Sequence, residues 1–368
     1  MKYYLDLFKN IDRMLLAIPV VFAAISLTVI SSTAGAGHFV IDKYVAIQLV
    51  AFCLGYVAIG LILLVDYQIF DRLEKPIYIG SILLLLTVYI PGLGVEQFGS
   101  RAWINLGIMN FQPSEIVKIA FVVLLAQYFS RNYETLRTLK GVIMSGLYAS
   151  PFILIVIKED LGGAIVLCFI WLAMVFYAGI NYRILGKSAC VFFLSLPVIY
   201  RFMASHQKER IDAFLHPGNL ELGGNYQVWQ SKVAIGSGGF LGKGLFHGTQ
   251  KELKFLPVQK SDFIYSVIVE ELGMIGGLVV ILLYLVFLLR IARIAFNAKD
   301  SVGALIAIGF IGMFGFQVFE NIAMTMGIMP VTGITLPFIS YGGSSVLANM
   351  MGLGLILSVG IRSKTINF

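Results

Sequence analysis

Asp262 is the residue of this sequence best placed to carry chemistry. It follows a polar, glycine-rich stretch that begins at Lys232 (KVAIGSGGFLGKGLFHGTQ), crosses FLP, and stands at the mouth of a long apolar run. A carboxylate at the start of a membrane helix is costly to keep there and usually marks a site. On that reading Asp262 carries carboxylate chemistry at a membrane surface. The alternative is an N-cap: an Asp just before a helix accepts from the exposed N–H groups of the first turn, and the Ser261-Asp262 pair suits that equally well.

Other groups stand where they can act with it. In RAWINLGIMNFQPSE, Arg101 to Glu115, Pro113 suits a first helical turn, and Glu115 and Lys118 are three apart and share a helix face. That spacing favours an internal ion pair; the functional alternative is that Lys118 and Arg101 receive an anion while Glu115 orients Lys118 or a metal ion. Trp103 is either a stacking platform for a sugar or an interfacial anchor, the commoner use of Trp there. Lys158-Glu159-Asp160 joins two apolar runs as an antiparallel hairpin, either as a solvated turn or as charges on the side of Arg101 and Asp262. Arg210, Lys232 and Lys243 are candidates for phosphate oxygens. Gly236-Ser237-Gly238-Gly239 is a candidate anion-binding nest, although a flexible loop has the same composition. His206, His216 and His247 lack metal-ligand spacing and read as loop caps. At roughly 100° per residue Glu271 points away from Asp262 and Glu270 lies off to one side, and both read as serving packing or pairing with neighbouring helices. Glu320-Asn321 precedes GIMPVTGITLPFISYGGSS, where Pro330 and Pro337 break helices and Gly342-Gly343 permit close helix contact.

The elements that must position these groups are apolar helices. Of 368 residues, 58% are hydrophobic and 13% charged, against about 45–50% and about 25% in soluble domains. A helix needs about 20 apolar residues to cross a bilayer. Ten runs qualify: 14–33, 44–65, 76–94, 113–130, 141–158, 161–179, 184–203, 262–289, 301–325 and 336–361. The expected fold is therefore all-α, one polytopic domain over 1–368 with ten transmembrane helices. With the N-terminus inside, the inner segments carry fifteen lysines and arginines; the short outer ones carry three, Lys43, Arg101 and Lys158. The positive-inside rule then puts both termini in the cytoplasm. The net charge of +7 is dispersed in clusters between apolar runs, which argues against nucleic acid as a partner. One connection, 204–261, is a long outer loop, a length that is usually functional. KYYLDLFKN at the N-terminus reads as a surface-lying amphipathic segment, and the first apolar run as a span rather than a cleaved signal. Cys53, Cys168 and Cys190 lie in apolar runs without paired spacing and read as small buried hydrophobes.

Taken in order, RAWINLG with FQPSEIVKIA, DLGGA, YQVWQSKVAIGSGGFLGKGLFHGTQ, FLPVQKSDFI, EELGMIGG and GIMPVTGITLPFISYGGSS resemble the SEDS family of peptidoglycan polymerases over essentially the whole chain. There are two departures. Where the family has Gln-Pro-Asp before Leu-Gly, this chain has Lys158-Glu159-Asp160, keeping the Asp. Where the family has Leu-Pro-Glu-x-His-Thr-Asp-Phe, it has Leu256-Pro257-Val258-Gln259-Lys260-Ser261-Asp262-Phe263, again keeping the Asp but not the Glu or His.

The resemblance implies an inverting glycosyltransferase of the bacterial cytoplasmic membrane, active on its outer side in cell elongation and rod shape. Its substrate would be lipid II, undecaprenyl-diphosphate-linked disaccharide-pentapeptide, joined into β-1,4 glycan strands with release of undecaprenyl diphosphate. Asp262 matches the family's essential Asp and would be the general base, its pKa lifted above the ordinary ~3.9 by partial burial. Arg101, Lys118, Arg210 and Lys232 would meet the diphosphate. Trp103, Glu115, Asp160 and Ser340 complete the expected substrate-binding set, with Glu115 or Asp160 as the place for a divalent cation such as Mg2+. Expected partners are a class B penicillin-binding protein, the elongation machinery and membrane lipids. The rival reading is a lipid II flippase, which needs polar groups throughout the bilayer depth. A third is a scaffold that only recruits the transpeptidase.

Overall fold

The computed structural model describes residues 11–35, 37–97, 100–105, 107, 110–219, 222–249 and 258–363. The expected surface segment, 2–10, lies outside them. The chain runs α1 (Arg13–Ser32), α2 (Lys43–Leu64), α3 (Glu74–Leu86), β1 (Gly94–Gln97), β2 (Ser100–Asn105), β3 (Asn110–Phe111), α4 (Pro113–Arg131), α5 (Leu139–Glu159), α6 (Leu161–Tyr177), α7 (Tyr182–Phe202), α8 (Ser205–Leu215), α9 (Gly223–Gly238), α10 (Ile264–Phe296), α11 (Ser301–Thr325) and α12 (Gly343–Ser363). Helices occupy all ten apolar runs. Among the described residues, α1, α2, α4, α5, α10, α11 and α12 are long and apolar enough to cross a membrane, and α6 is apolar but only 17 residues long. The chain is a multi-pass membrane protein.

Four aspartates start helices by accepting a first-turn N–H: Asp12 from Leu15 (3.0 Å), Asp42 from Val45 (2.8 Å), Asp160 from Gly163 (2.8 Å) and Asp300 from Gly303 (2.7 Å). The helices α4 and α12 are largely enclosed by the others, whereas α2 and the second half of α10 turn Leu54, Val57, Leu61, Leu278, Leu282 and Leu285 outward, as lipid contact requires. Cys53, Cys168 and Cys190 also face outward and are unpaired; the expectation that they are buried is wrong, because on a lipid-facing surface a small apolar side chain has no need of a core.

Four features differ from the sequence reading. Of the run 76–94 only the part within Glu74–Leu86 is α-helical; a 3-10 turn follows at Thr87–Tyr89, and β1 begins at Gly94. The last helix starts at Gly343, not 336, because Pro337 and the Gly342-Gly343 pair leave 329–342 irregular. Residues 329–342 are held by Phe338, which takes φ 64° to insert among Phe22 (5.8 Å between ring centroids), Phe287 (5.5 Å) and Phe314 (5.6 Å). A small antiparallel sheet, β1-β2-β3, occupies the RAWIN segment. Finally, 204–261 is not simply a loop: it contains α8 and α9, and α9 packs along α10.

That packing depends on a break in α10. Gly273 (φ 69°, ψ −172°) interrupts the helix, and the 239–244 turn fills the gap. The carbonyls freed at Glu270 and Glu271 accept from the N–H groups of Lys243 and Gly244, both at 3.0 Å. The N–H groups of Met274 and Ile275 donate in return to Gly239 (2.9 Å) and Phe240 (3.3 Å). Gly236-Ser237-Gly238 is therefore the last turn of α9, an end that presents carbonyls, and not an anion-binding nest. Lys243 is engaged as well, pairing with Glu270 at 2.7 Å.

A methyl group at Gly273 would lie 2.3 Å from the Phe240 carbonyl. Gly273→Ala should therefore cost more than the ~1–3 kcal/mol of the backbone conformation alone. Gly60→Ala, where a Cβ meets open space, should stay within about 0.5 kcal/mol of wild type. Melting of both variants in one detergent makes the comparison, and equal melting temperatures would show that the break tolerates a side chain.

Candidate active site

Asp262 lies on a run of turns, Val258 to Phe263, ahead of α10. Val258 adopts φ 54°, and its carbonyl accepts from the N–H groups of Ser261 and Asp262, both at 3.2 Å. The last three carbonyls before Phe263 are each claimed from elsewhere. Lys260 O accepts from Tyr341 N (2.9 Å), Ser261 O from Ser340 Oγ (2.5 Å) and Asp262 O from Asn321 Nδ2 (2.9 Å). The helix starts at Ile264, with Phe263 in the cap position and no side-chain cap bond. The N-cap reading of Asp262 therefore fails, and its carboxylate stays available.

Arg210 of α8 is what it faces. Arg210 Nη1 donates to Thr332 O at 2.9 Å. A Cβ built on Gly333 would lie 3.6 Å from Asp262 Oδ2 and 3.7 Å from Arg210 Nη1, so acid and guanidinium converge over a bare stretch of backbone at φ 77°. Asp160 joins them from the α5–α6 junction: Oδ1 caps α6 and Oδ2 accepts from Gln112 Nε2 (3.1 Å). Behind it Lys118 and Glu115, 4% and 7% exposed, form the expected internal pair at 2.9 Å.

Protein surrounds the Asp262 carboxyl on most sides, although the residue keeps an opening to solvent. Burial raises its pKa above the ordinary aspartate value; the Ser261 hydroxyl and Arg210 oppose the rise and the nearby Asp160 charge adds to it. Burial also raises the Asp160 pKa, against the Gly163 N–H and Lys118.

The sequence candidates divide accordingly. Asp262, Arg210, Asp160, Lys118 and Glu115 come together. Lys232, exposed on α9, stands at the far side of a groove that Arg210 also lines, together with Asn225, Phe214 and Pro330. Arg101 reaches only the rim: it lines a small cleft with Asp160, but its exposed guanidinium pairs with Glu96 at 3.2 Å. Trp103 is half-buried in the sheet, paired with Val95. Ser340 was expected to bind substrate; it is 2% exposed, accepts from Leu336 N (2.8 Å) and donates to Ser261 O, so it positions the turn instead. The expected Mg2+ place at Glu115 or Asp160 does not fit: Glu115 is paired, both Asp160 oxygens are engaged, and no group of three acids, histidines or cysteines lies close enough to hold an ion among the described residues. Sequence reasoning missed Gln112, Thr332 and Gly333 and gave Asn321 no role. Position beside Pro113 and inside the proline-broken GIMPVTG segment was the only signal available for the first three.

A family model described as cell cycle protein, covering FtsW, RodA and SpoVE, matches residues 7–365. The chain belongs to the FtsW/RodA/SpoVE family. It is 35% identical over 318 residues to the peptidoglycan glycosyltransferase MrdB of Escherichia coli K12, covering 85% of this chain and 86% of that protein. It is 35% identical over 324 residues to stage V sporulation protein E of Bacillus subtilis, covering 86% and 87%. The rod shape determining protein RodA of Thermus thermophilus, a crystal structure, superposes with TM-score 0.69 at 28% identity, covering 97% and 98%. A chain of a solved peptidoglycan synthase complex, in a study of the structural coordination of polymerization and crosslinking, superposes with TM-score 0.79 at 29% identity, covering 96% and 99%.

Within this family member the buried Lys118–Glu115 pair makes a stability prediction. Lys118→Met alone strands a buried carboxylate and should cost about 3–5 kcal/mol. Lys118→Met with Glu115→Gln removes both charges and should recover most of that loss. Melting of the single and double variants decides it; a double variant no better than the single would mean the two side chains are not coupled.

Proposed function

We propose that this protein is a peptidoglycan glycosyltransferase that polymerises lipid II at the outer face of the bacterial cytoplasmic membrane, working with a class B penicillin-binding protein in cell elongation. The observation that carries the reading is an uncapping Asp262, its pKa raised by burial, opposite Arg210 at a groove with a second cation, Lys232. The names of MrdB and of the peptidoglycan synthase complex support the activity and the partner.

In this mechanism Asp262 takes the proton from the GlcNAc 4-hydroxyl of one substrate as that oxygen attacks MurNAc C1 of the other. The C1–O bond to the diphosphate breaks, and attack from the opposite face turns the α linkage into a β glycoside. The departing undecaprenyl diphosphate gathers negative charge, which Arg210 and Lys232 stabilise by charge-assisted hydrogen bonds. Asp160 lifts the basicity of Asp262 and Lys118 limits the negative charge around Asp160. A flippase would need such groups spread through the bilayer depth; here the Asp262–Arg210–Asp160 cluster gathers at one end of α4, α6 and α10.

Asp262→Asn keeps size and removes the base. It should fold, bind lipid II and lose about 10²–10⁴-fold in polymerisation. Because the base works deprotonated, wild-type rate should rise with pH through an apparent pKa above ~3.9 and then level off. Glycan strand formation, lipid II binding and melting on one preparation test this, and near-normal strands from the Asn variant would sink the mechanism.

The side of the membrane is tested separately. A cysteine at Gly218 should react with an impermeant thiol reagent applied to intact cells, whereas one at Thr135 should not. The reverse pattern overturns the orientation and with it the outer placement of the site.

A further inference from the structure

We infer that Lys260 is a positioning residue for the Asp262 turn, a latch that fastens it to the Asp42 end of α2. The inference rests on Asp262 being the base. The backbone and the side chain of Lys260 are held by the same small cluster. Its carbonyl accepts from Tyr341 N at 2.9 Å. Its ammonium lies over the Tyr44 ring, 3.8 Å from the centroid, and 3.4 Å from Asp42 Oδ2. The Tyr44 ring in turn meets Tyr341 edge-on, with centroids 5.0 Å apart. Lys260, Tyr44 and Tyr341 thus form a closed ring of contacts.

The cation is placed for strength. The Lys260 and Asp42 side chains are each 23% exposed, and a partly desolvated ammonium gains more from an aromatic face than a fully hydrated one. Asp42 cannot follow the lysine outward, because its Oδ1 caps α2 through Val45 N at 2.8 Å. Lys260 therefore docks on a fixed anion and a fixed ring.

The turn needs such a hold. Val258 is β-branched and sits at φ 54°, a conformation that persists only when surrounding contacts over-determine it. The clamps on Ser261 O and Asp262 O come from Ser340 and Asn321, on the α11–α12 side. The latch supplies the anchor from the α1–α2 side, two residues before the base. Its loss leaves diphosphate binding alone but lets the carboxylate drift from the attacking hydroxyl, and small displacements from reactive geometry are costly in rate.

The test uses the full-length protein and lipid II, with kcat, KM and melting temperature measured on each preparation. Lys260→Met and Tyr44→Leu should each lower kcat about three- to thirtyfold, the span of a partly desolvated cation–π contact, with KM unchanged. Lys260→Arg and Tyr44→Phe, which keep the charge and the ring, should retain activity. Lys260→Met with Tyr44→Leu should be no slower than the slower single variant, since both remove one contact. Wild-type kcat in Lys260→Met or Tyr44→Leu overturns the latch. So does a raised KM in Lys260→Met with a silent Tyr44→Leu, which would make Lys260 a substrate contact. Multiplicative losses in the double variant, or kcat losses that track melting temperature and are not rescued by arginine, also overturn it. Asp262→Asn in the same series isolates the premise: if that variant polymerises normally the base assignment fails, whatever Lys260 does.

Discussion

Irregular backbone inside a membrane protein is tolerated only when its polar groups are satisfied by protein, and that constraint organises the site. Two irregular stretches, 258–263 and 329–342, satisfy each other. Ser340 Oγ serves both at once, accepting from Leu336 N and donating to Ser261 O. Asn321 also bridges them, its amide donating to Asp262 O and to Ile334 O at 2.8 Å. Deeper in the bundle, Gln48 of α2 donates to Ser340 O (3.0 Å) and accepts from Gly342 N (3.2 Å), while the Tyr284 hydroxyl donates to Pro337 O. The segment that carries Arg210's acceptor, Thr332, and the turn that carries Asp262 are thereby one rigid unit, anchored by the Phe338 ring in the aromatic core.

The groups on α8 and α9 are tied to that unit differently. Arg210 is fixed to Thr332 O, but Lys232 is exposed on α9, and α9 is connected onward through the 239–244 turn sewn into the break of α10. The break converts two unmade helical hydrogen bonds into bonds with another segment, so the polar stretch 239–244 can lie against a membrane helix without stranded N–H or C=O groups. Glu271 belongs to the same seam, accepting from Ser32 of α1 at 2.5 Å. A residue as far from Asp262 in sequence as Gly239 therefore helps to set where the second cation stands.

Much of this was legible in the sequence. Hydropathy alone located every helix in the ten apolar runs, and the i, i+3 spacing of Glu115 and Lys118 anticipated the buried pair. The region 204–261 was misread because helices there mix charge, glycine and aromatics, and periodicity is silent about a helix whose neighbours are another helix and a turn. Ser340 was misassigned for a related reason: a serine in a proline- and glycine-rich segment looks the same whether its hydroxyl faces a ligand or holds a carbonyl 79 positions away. Hydrogen bonds between two irregular segments leave no period to read.

The two acids show why environment outranks residue type. Asp160 and Asp262 both begin where an apolar helix begins, and local sequence offers the same capping role to each. Asp160 took it: its oxygens accept from the Gly163 N–H and the Gln112 amide, so its carboxyl is held at the start of α6. At Asp262 the turn ends one residue too late for a cap, because the clamps on Lys260, Ser261 and Asp262 carbonyls delay helical geometry until Ile264. The backbone bonds that pin the turn thus leave the Asp262 carboxylate uncommitted to α10. Asp160 nearby raises the proton affinity of Asp262, while Arg210, close to both, opposes the rise that burial causes at each. One acid supplies the field and the other the chemistry, and the difference is set by where three carbonyls find their donors.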